Sequence, residues 1–116
     1  MVSRPGASFA YCSPNFHLLS AILTRVTGEN ELAFAHRQLF DPLGIREVIW
    51  PSGPEDLTLG WGDLRLLPRD VAKLGFLYLH GGQWNGRQIL SPAWVEMSAR
   101  PLIQTGGYEA TATAGG

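Results

Sequence analysis

Glycine and proline interrupt this chain often enough to keep every regular element short. Glycine accounts for 14 of the 116 residues and proline for 8, whereas the two together make up roughly 12% of an average protein. Proline ends helices and glycine favours turns, so we expect helices, turns and loops to alternate quickly. A chain of this length predicts one domain with a single core.

Composition excludes several classes of protein. An apolar fraction of 45% with only 16% charged residues is typical of a globular protein and excludes disorder throughout the chain. The formal net charge is −1, so no surplus of positive charge is present to bind a phosphate backbone. We therefore expect no nucleic-acid partner.

Cysteine usage and hydropathy argue against disulfides, metal sites and membrane spans. Cys12 is the only cysteine, so no intramolecular disulfide, structural metal or cofactor is predicted. No apolar stretch approaches the ~20 residues that cross a bilayer. The first residues lack the basic and then apolar layout of a secretory signal. These features predict a soluble chain without a membrane span and leave its compartment unassigned.

Apolar periodicity predicts four helices. The segments are about 13–27, 31–40, 68–80 and 92–99. Ser13, Asn30 and Ser91 are the expected N-caps of the first, second and fourth helices, and Gly28 ends the first. The third helix is apolar around most of its circumference, which predicts that it is buried.

The segments between these helices predict turns and loops. Asn85-Gly86 lies between two short β-compatible runs, which predicts a tight hairpin. Gly60-Trp61-Gly62 suits a strand or loop whose backbone comes close to another part of the chain. Residues 102–116 are rich in Gly, Thr and Ala and predict a flexible tail, so the folded domain is expected within residues 1–101.

One serine lies in a pattern close to a known nucleophile motif. Gly6-Ala7-Ser8-Phe9-Ala10 differs by one residue from the Gly-x-Ser-x-Gly elbow, which needs a strand before the serine and a helix directly after it. Too few residues precede Ser8 for a strand, and Pro14 delays the helix. The pattern therefore argues against an elbow.

The histidines and tryptophans are better explained by structural roles. No Asp or Glu is evidently paired with His17, His36 or His80, and His80 is expected to serve the negative end of the third helix. The tryptophans lie on different elements, so they are expected to anchor the core and loops rather than form a stacking platform. They are Trp50, Trp61, Trp84 and Trp94.

Several landmarks follow one another between residues 6 and 101. Tyr11-Cys12-Ser13 stands just before the first helix, which ends in Val26-Thr27-Gly28, and Pro42-Leu43-Gly44 follows the second. The later landmarks are Gly60-Trp61-Gly62-Asp63-Leu64-Arg65, residues 68–75, Gly81-Gly82 and Trp84-Asn85-Gly86. In this order they resemble the serine β-lactamase and penicillin-binding-protein superfamily, specifically its class C-like branch of esterases and D-aminopeptidases.

The resemblance implies a fold and a chemistry. The chain is expected to be mainly α with a short β-hairpin, as a fragment of the α/β fold in which a helical lobe packs beside an antiparallel sheet. The implied activity is acyl transfer to water, in which a serine attacks the carbonyl of a small-molecule ester, amide or lactam.

The resemblance also implies two site residues. Tyr11 matches the tyrosine that acts with the nucleophile's lysine as a general base and then protonates the leaving group. A phenol becomes a useful base where neighbouring positive charge stabilises its phenolate, so Tyr11 needs a lysine beside it. Ser13 falls where class C enzymes usually have Asn, a side chain that contacts the lysine and the substrate carbonyl. Its hydroxyl is shorter than an amide and has one donor rather than two.

Two motifs of the superfamily are missing from the sequence. The nucleophile lies in Ser-x-x-Lys, but Lys73 is the only lysine and Asp70 stands three residues before it. The third motif, Lys-Thr-Gly or His-x-Gly, is missing too, since Gln104-Thr105-Gly106-Gly107 lacks the cationic residue. We therefore expect an internal or truncated piece of a hydrolase that is inactive alone, exposes apolar surface and tends to self-associate.

Two alternative functions remain open. The first is a non-catalytic helical interaction module that binds another subunit. The second is a self-contained esterase that uses Ser8 with a histidine. Complete members of the superfamily are often exported, so the resemblance leaves the compartment open.

Overall fold

The structure, a computed structural model, describes residues 4–103. Its helices are α1 (Ser13–Thr27), α2 (Glu31–Ala35), α3 (Pro68–Leu79) and α4 (Pro92–Ser98). Its strands are β1 (Val48–Ile49), β2 (Arg65–Leu66), β3 (Gln83–Trp84) and β4 (Arg87–Gln88). The predicted fold class, mainly α with a short β-hairpin, is confirmed. From Gln104 onward the predicted tail, with its Gln104-Thr105-Gly106-Gly107 segment, lies outside the described residues.

Helix ends follow the local sequence signals closely. Gly28 adopts a left-handed conformation (φ 79°) and its amide donates to the Thr24 carbonyl at 2.9 Å, which ends α1. The Asn30 side chain accepts from the Ala33 amide at 2.8 Å and caps α2. Ser91 caps α4 in the same way, accepting from the Trp94 amide at 3.0 Å.

The start of α1 differs from the prediction. Cys12, not Ser13, occupies the N-cap position with an extended backbone (φ −149°, ψ 108°), and no side chain caps the helix there. Ser13 is the first helical residue and Pro14 the second. Proline is tolerated throughout the first turn because the amide it lacks has no intrahelical acceptor, so the helix can begin at Ser13, within the predicted start, although the predicted side-chain cap is absent.

The second predicted helix is divided into two parts. An α-helical segment, α2, passes directly into a π-helical turn, His36–Phe40. The Asp41 amide donates to the His36 carbonyl, five residues back, at 2.8 Å. This wider turn leaves Phe40 buried, and the chain then turns at residues 41–44, which include Pro42-Leu43-Gly44.

Two small antiparallel ladders connect the helices. Strands β1 and β2 pair in the register Val48 with Leu66. Strands β3 and β4 form the predicted hairpin, whose Asn85 (φ 49°) and Gly86 (φ 76°) both have the positive φ that a tight turn of this kind requires. A 3₁₀ turn, Pro54–Asp56, lies in the loop between the strands of the first ladder.

An apolar core forms between the π-helical turn, the loop after it and α3. Among the described residues the buried apolar side chains are Phe40, Leu43, Ile45 and Leu77. Partly buried side chains pack around them, including Leu39 from the π-helical turn, Leu74 from α3 and Trp84 from the hairpin. Within residues 4–103 this cluster forms the apolar core.

The expectation that α3 is buried is wrong. Leu77 and Asp70 are its buried residues, whereas Val71, Phe76 and Leu79 are exposed. An all-round apolar helix is buried only where elements pack on every side, and the described residues cover one side of α3. Within residues 4–103 no helix, α3 included, is long and apolar enough to cross a membrane.

Candidate functional site

The two site residues expected from the sequence lie at the N-terminal end of α1. Tyr11 directly precedes the helix and its side chain is 52% exposed, with its ring centroid 6.2 Å from that of Phe16. Ser13 is half-buried in the first turn. The helix dipole makes this end of α1 electropositive. A phenol and a hydroxyl are thus placed two residues apart at a helix end that favours negative charge.

A distant segment of the chain packs directly on the first turns of α1. Gly60 lies so close that a Cβ added there would stand 2.2 Å from the Phe16 carbonyl oxygen and 3.1 Å from Ser20 Cβ. No side chain fits in that space. The prediction that the Gly60-Trp61-Gly62 backbone closely approaches another part of the chain is confirmed.

Buried hydrogen bonds join the same segment to two helices. Ser20 Oγ donates to the Thr58 carbonyl at 2.6 Å, and both residues are buried. The Thr58 hydroxyl oxygen accepts from the Leu32 amide in α2 at 3.1 Å. Sequence analysis missed both residues, because a bond between positions 38 apart leaves no local pattern.

The only lysine of the chain is engaged in a structural ion pair. Lys73 Nζ lies 3.1 Å from Asp70 Oδ1 and 3.5 Å from the Gly44 carbonyl oxygen. Asp70 is buried, so this ammonium group neutralises a carboxylate inside the fold. Lys73 therefore ties α3 to the turn at residue 44.

The three histidines differ in their surroundings. His36 Nδ1 lies 3.3 Å from Asp41 Oδ1, so the expectation that no carboxylate pairs with a histidine is wrong for His36; the π-helical turn brings the two residues together. His80 Nδ1 contacts the Phe76 carbonyl at 3.0 Å, which confirms its role at the end of α3. The Nδ1 atom of His17 is buried without a hydrogen-bond partner.

Other candidate groups are dispersed. The Ser8 segment has no strand before it within the described residues, and α1 begins only at residue 13, so the argument against an elbow holds. Trp50 anchors a loop by donating to the Leu59 carbonyl at 2.7 Å, and Trp84 packs edge-on against Phe76. Within residues 4–103 no three His, Cys, Asp or Glu side chains are grouped to hold a metal ion.

The family model described as Beta-lactamase matches residues 1–116. Lovastatin esterase from Penicillium rubens is 34% identical to this chain over 80 residues, which are 68% of this chain and 19% of the esterase. The 6-aminohexanoate-dimer hydrolase from Paenarthrobacter ureafaciens is 30% identical over 89 residues, 76% of this chain and 23% of that protein. This chain thus spans about a fifth of the length of the curated relatives that it matches.

Two solved structures have a fold similar to that of this chain. A Bacillus anthracis protein provisionally named a 6-aminohexanoate-dimer hydrolase superposes with a TM-score of 0.76 at 25% identity, over 83% of this chain and 25% of that one. A provisional β-lactamase from Bacteroides dorei superposes with a TM-score of 0.75 at 19% identity, over 89% of this chain and 32% of that one. The order of landmarks, the fold and the family match agree, and the chain therefore belongs to the β-lactamase family of serine hydrolases.

Proposed function

We propose that residues 1–116 form the proton-transfer part of a serine hydrolase that cleaves a small-molecule ester, amide or lactam through an acyl-enzyme. The observation that carries this proposal is the placement of Tyr11 and Ser13 together at the start of α1, in a chain of this family. The esterase and amide-hydrolase names of the curated relatives support the substrate class.

Each residue has a defined role in the proposed reaction. A serine from outside residues 1–116 attacks the substrate carbonyl, and its proton passes to the Tyr11 phenolate. The leaving group then takes that proton as its bond to the carbonyl carbon breaks, and water later hydrolyses the acyl-enzyme. Ser13 donates a hydrogen bond that orients the substrate, from a shorter side chain than the usual Asn.

The nucleophile and its lysine are proposed to come from outside these residues. No Ser-x-x-Lys is present in the sequence, and the Lys73 ammonium group lies against Asp70. We therefore propose that these 116 residues are inactive alone. A fluorophosphonate probe tests this directly, because it labels an activated serine; labelling of the isolated chain would contradict the proposal.

A chimera tests the role of Tyr11. Residues 4–103 replace the matching part of the Paenarthrobacter ureafaciens hydrolase, so that the rest of a longer relative is present, and turnover of a p-nitrophenyl ester is measured. Tyr11→Phe is expected to lower kcat by about 10²–10⁴. Tyr78→Phe is the control, since its hydroxyl is bonded to Ser98 Oγ and has no part in the reaction. Full turnover in the folded Tyr11→Phe chimera would refute the proposed role.

A second candidate function is favoured by the exposed apolar face of α1. Leu18, Leu19, Ile22 and Val26 are exposed at helical spacing on one side of the helix, and such a stripe is typical of a surface that another element covers. A non-catalytic interaction module would behave as a monodisperse chain with saturable binding to a protein partner. Self-association that increases with concentration would instead favour the proposed incomplete hydrolase.

A further inference from the structure

We infer that Thr58 and Gly60 are positioning residues for Tyr11 and Ser13, an inference that rests on the proposed function of those two residues. Thr58 and Gly60 belong to one loop segment, which contacts α1 along its first two turns. Their described contacts are with Phe16, Ser20 and Leu32. Both act through α1, whose first turn contains Ser13 and follows directly after Tyr11.

Gly60 fixes how closely the loop approaches the helix. The space where its Cβ would stand is filled by the Phe16 carbonyl, 2.2 Å away at the oxygen and 2.8 Å at the carbon. Both are backbone atoms of a helix, so they cannot move aside as a flexible side chain would. Any residue with a Cβ must therefore shift the loop away from α1.

Phe16 links this contact to Tyr11. Its carbonyl group lies against Gly60, while its ring packs at a tilt of 42° beside the ring of Tyr11. Ser13 is three residues before Phe16 and so lies one helical turn away on the same side. A displacement of the helix at Phe16 is thus transmitted to both proposed site residues.

Thr58 fixes the direction of α1. Its carbonyl accepts from Ser20 in α1, and its side-chain oxygen accepts from the Leu32 amide in α2. Thr58 is fully buried, where an unmade hydrogen bond is costly. The residue therefore links α1 to α2 through two hydrogen bonds and fixes the orientation of one helix relative to the other. The apolar side of α1 remains exposed.

This positioning matters because proton transfer is sensitive to small displacements. A shift of about 1 Å in a reacting group can lower a rate by roughly 100-fold. The segment at 58–60 would keep Tyr11 at a constant distance from the substrate, although it contributes no reacting atom.

Cys12 provides a reporter beside both proposed site residues. It is exposed and the only cysteine of the chain, so a nitroxide label attached there reports the mobility of the start of α1 by electron paramagnetic resonance. Gly60→Ala is compared with Gly62→Ala, since a Cβ at position 62 meets nothing within 4 Å. Ser20→Ala, which removes the hydroxyl that donates to the Thr58 carbonyl, is compared with Thr24→Ala, whose hydroxyl bonds within α1 itself.

We expect Gly60→Ala and Ser20→Ala to raise the mobile fraction of the label about twofold or more. Gly62→Ala and Thr24→Ala should keep the parent spectrum. Circular dichroism identifies variants that remain folded, and if Gly60→Ala does not fold, Ser20→Ala decides the outcome. An unchanged spectrum in folded Ser20→Ala, or equal mobilisation by Gly62→Ala and Gly60→Ala, would overturn the inference.

The chimera separates this inference from the proposed function. Ser20→Ala should lower kcat about tenfold or more with a smaller change in KM, and Thr24→Ala should leave kcat unchanged. If Tyr11→Phe leaves turnover intact, the proposed function fails whatever the label shows. If Tyr11→Phe abolishes turnover while Ser20→Ala changes neither kcat nor label mobility, only the positioning role fails.

Discussion

Helices α3 and α1 are attached to the rest of the chain by different kinds of contact. Leu77 of α3 is buried with Phe40 and Ile45 in the apolar core. Helix α1 contributes no side chain to that buried cluster; it packs against α2 and is also held by the Ser20 hydrogen bond and the close approach of Gly60. Apolar packing spreads stability over many atoms, whereas a hydrogen bond and a close backbone contact each depend on one residue. The placement of the helix that bears the proposed site is thus more open to change by a single substitution at these two contacts.

The largest expected effect comes from the core that holds α3. Leu77→Ala removes a fully buried side chain and should lower the free energy of unfolding by about 2–5 kcal/mol. Leu79→Ala is the matched control in the same helix, because Leu79 is 81% exposed, and should change it by less than about 0.5 kcal/mol. Urea unfolding followed by circular dichroism measures both. Equal losses in the two variants would mean that α3 does not face the core as described.

A smaller and more local effect is expected at α1. Ser20→Ala removes the hydroxyl that bonds to the buried Thr58 carbonyl and should cost about 1–3 kcal/mol. Hydrogen exchange should accelerate in the amides of α1 more than in those of α3. Thr24→Ala is the control, because the Thr24 hydroxyl bonds to the Ser20 carbonyl within α1 itself. Equal acceleration in both helices would show that the Ser20 hydrogen bond does not stabilise α1 locally.

The smallest expected change in stability concerns the exposed side of α1. Ile22→Gln should alter the free energy of unfolding by no more than about 0.5 kcal/mol, since the side chain is about half exposed. It should nevertheless reduce concentration-dependent association in sedimentation velocity, because it interrupts the apolar stripe. Ala33→Gln, on the exposed surface of α2, is the control. Unchanged association in Ile22→Gln would show that the stripe does not mediate self-contact.

Local signals made most of the fold predictable. Asn30 and Ser91 act as caps, Gly28 ends α1, and Asn85-Gly86 forms the hairpin turn. Each of these depends on the conformational preference of one or two residues, so the sequence contains the necessary information. The placement of Tyr11 and Ser13 at a helix start was predictable for the same reason.

Features that depend on distant packing were not predictable. The exposure of α3 is set by which elements lie beside it, and an apolar sequence alone does not show which side is covered. The bond between Ser20 and Thr58 joins two residues that are ordinary in their local context. The Gly60-Trp61-Gly62 segment predicted a close approach of the backbone, but it did not identify α1 as the partner.

The π-helical turn after α2 contains one residue more than an α-helical turn would. Its hydrogen bond from Asp41 to His36 spans one residue more than an α-helical bond does. Removing one residue between His36 and Phe40 would return this bond to α-helical spacing and leave the following residues facing nearly the same side. A one-residue gap in this turn of an aligned relative is therefore compatible with the same core.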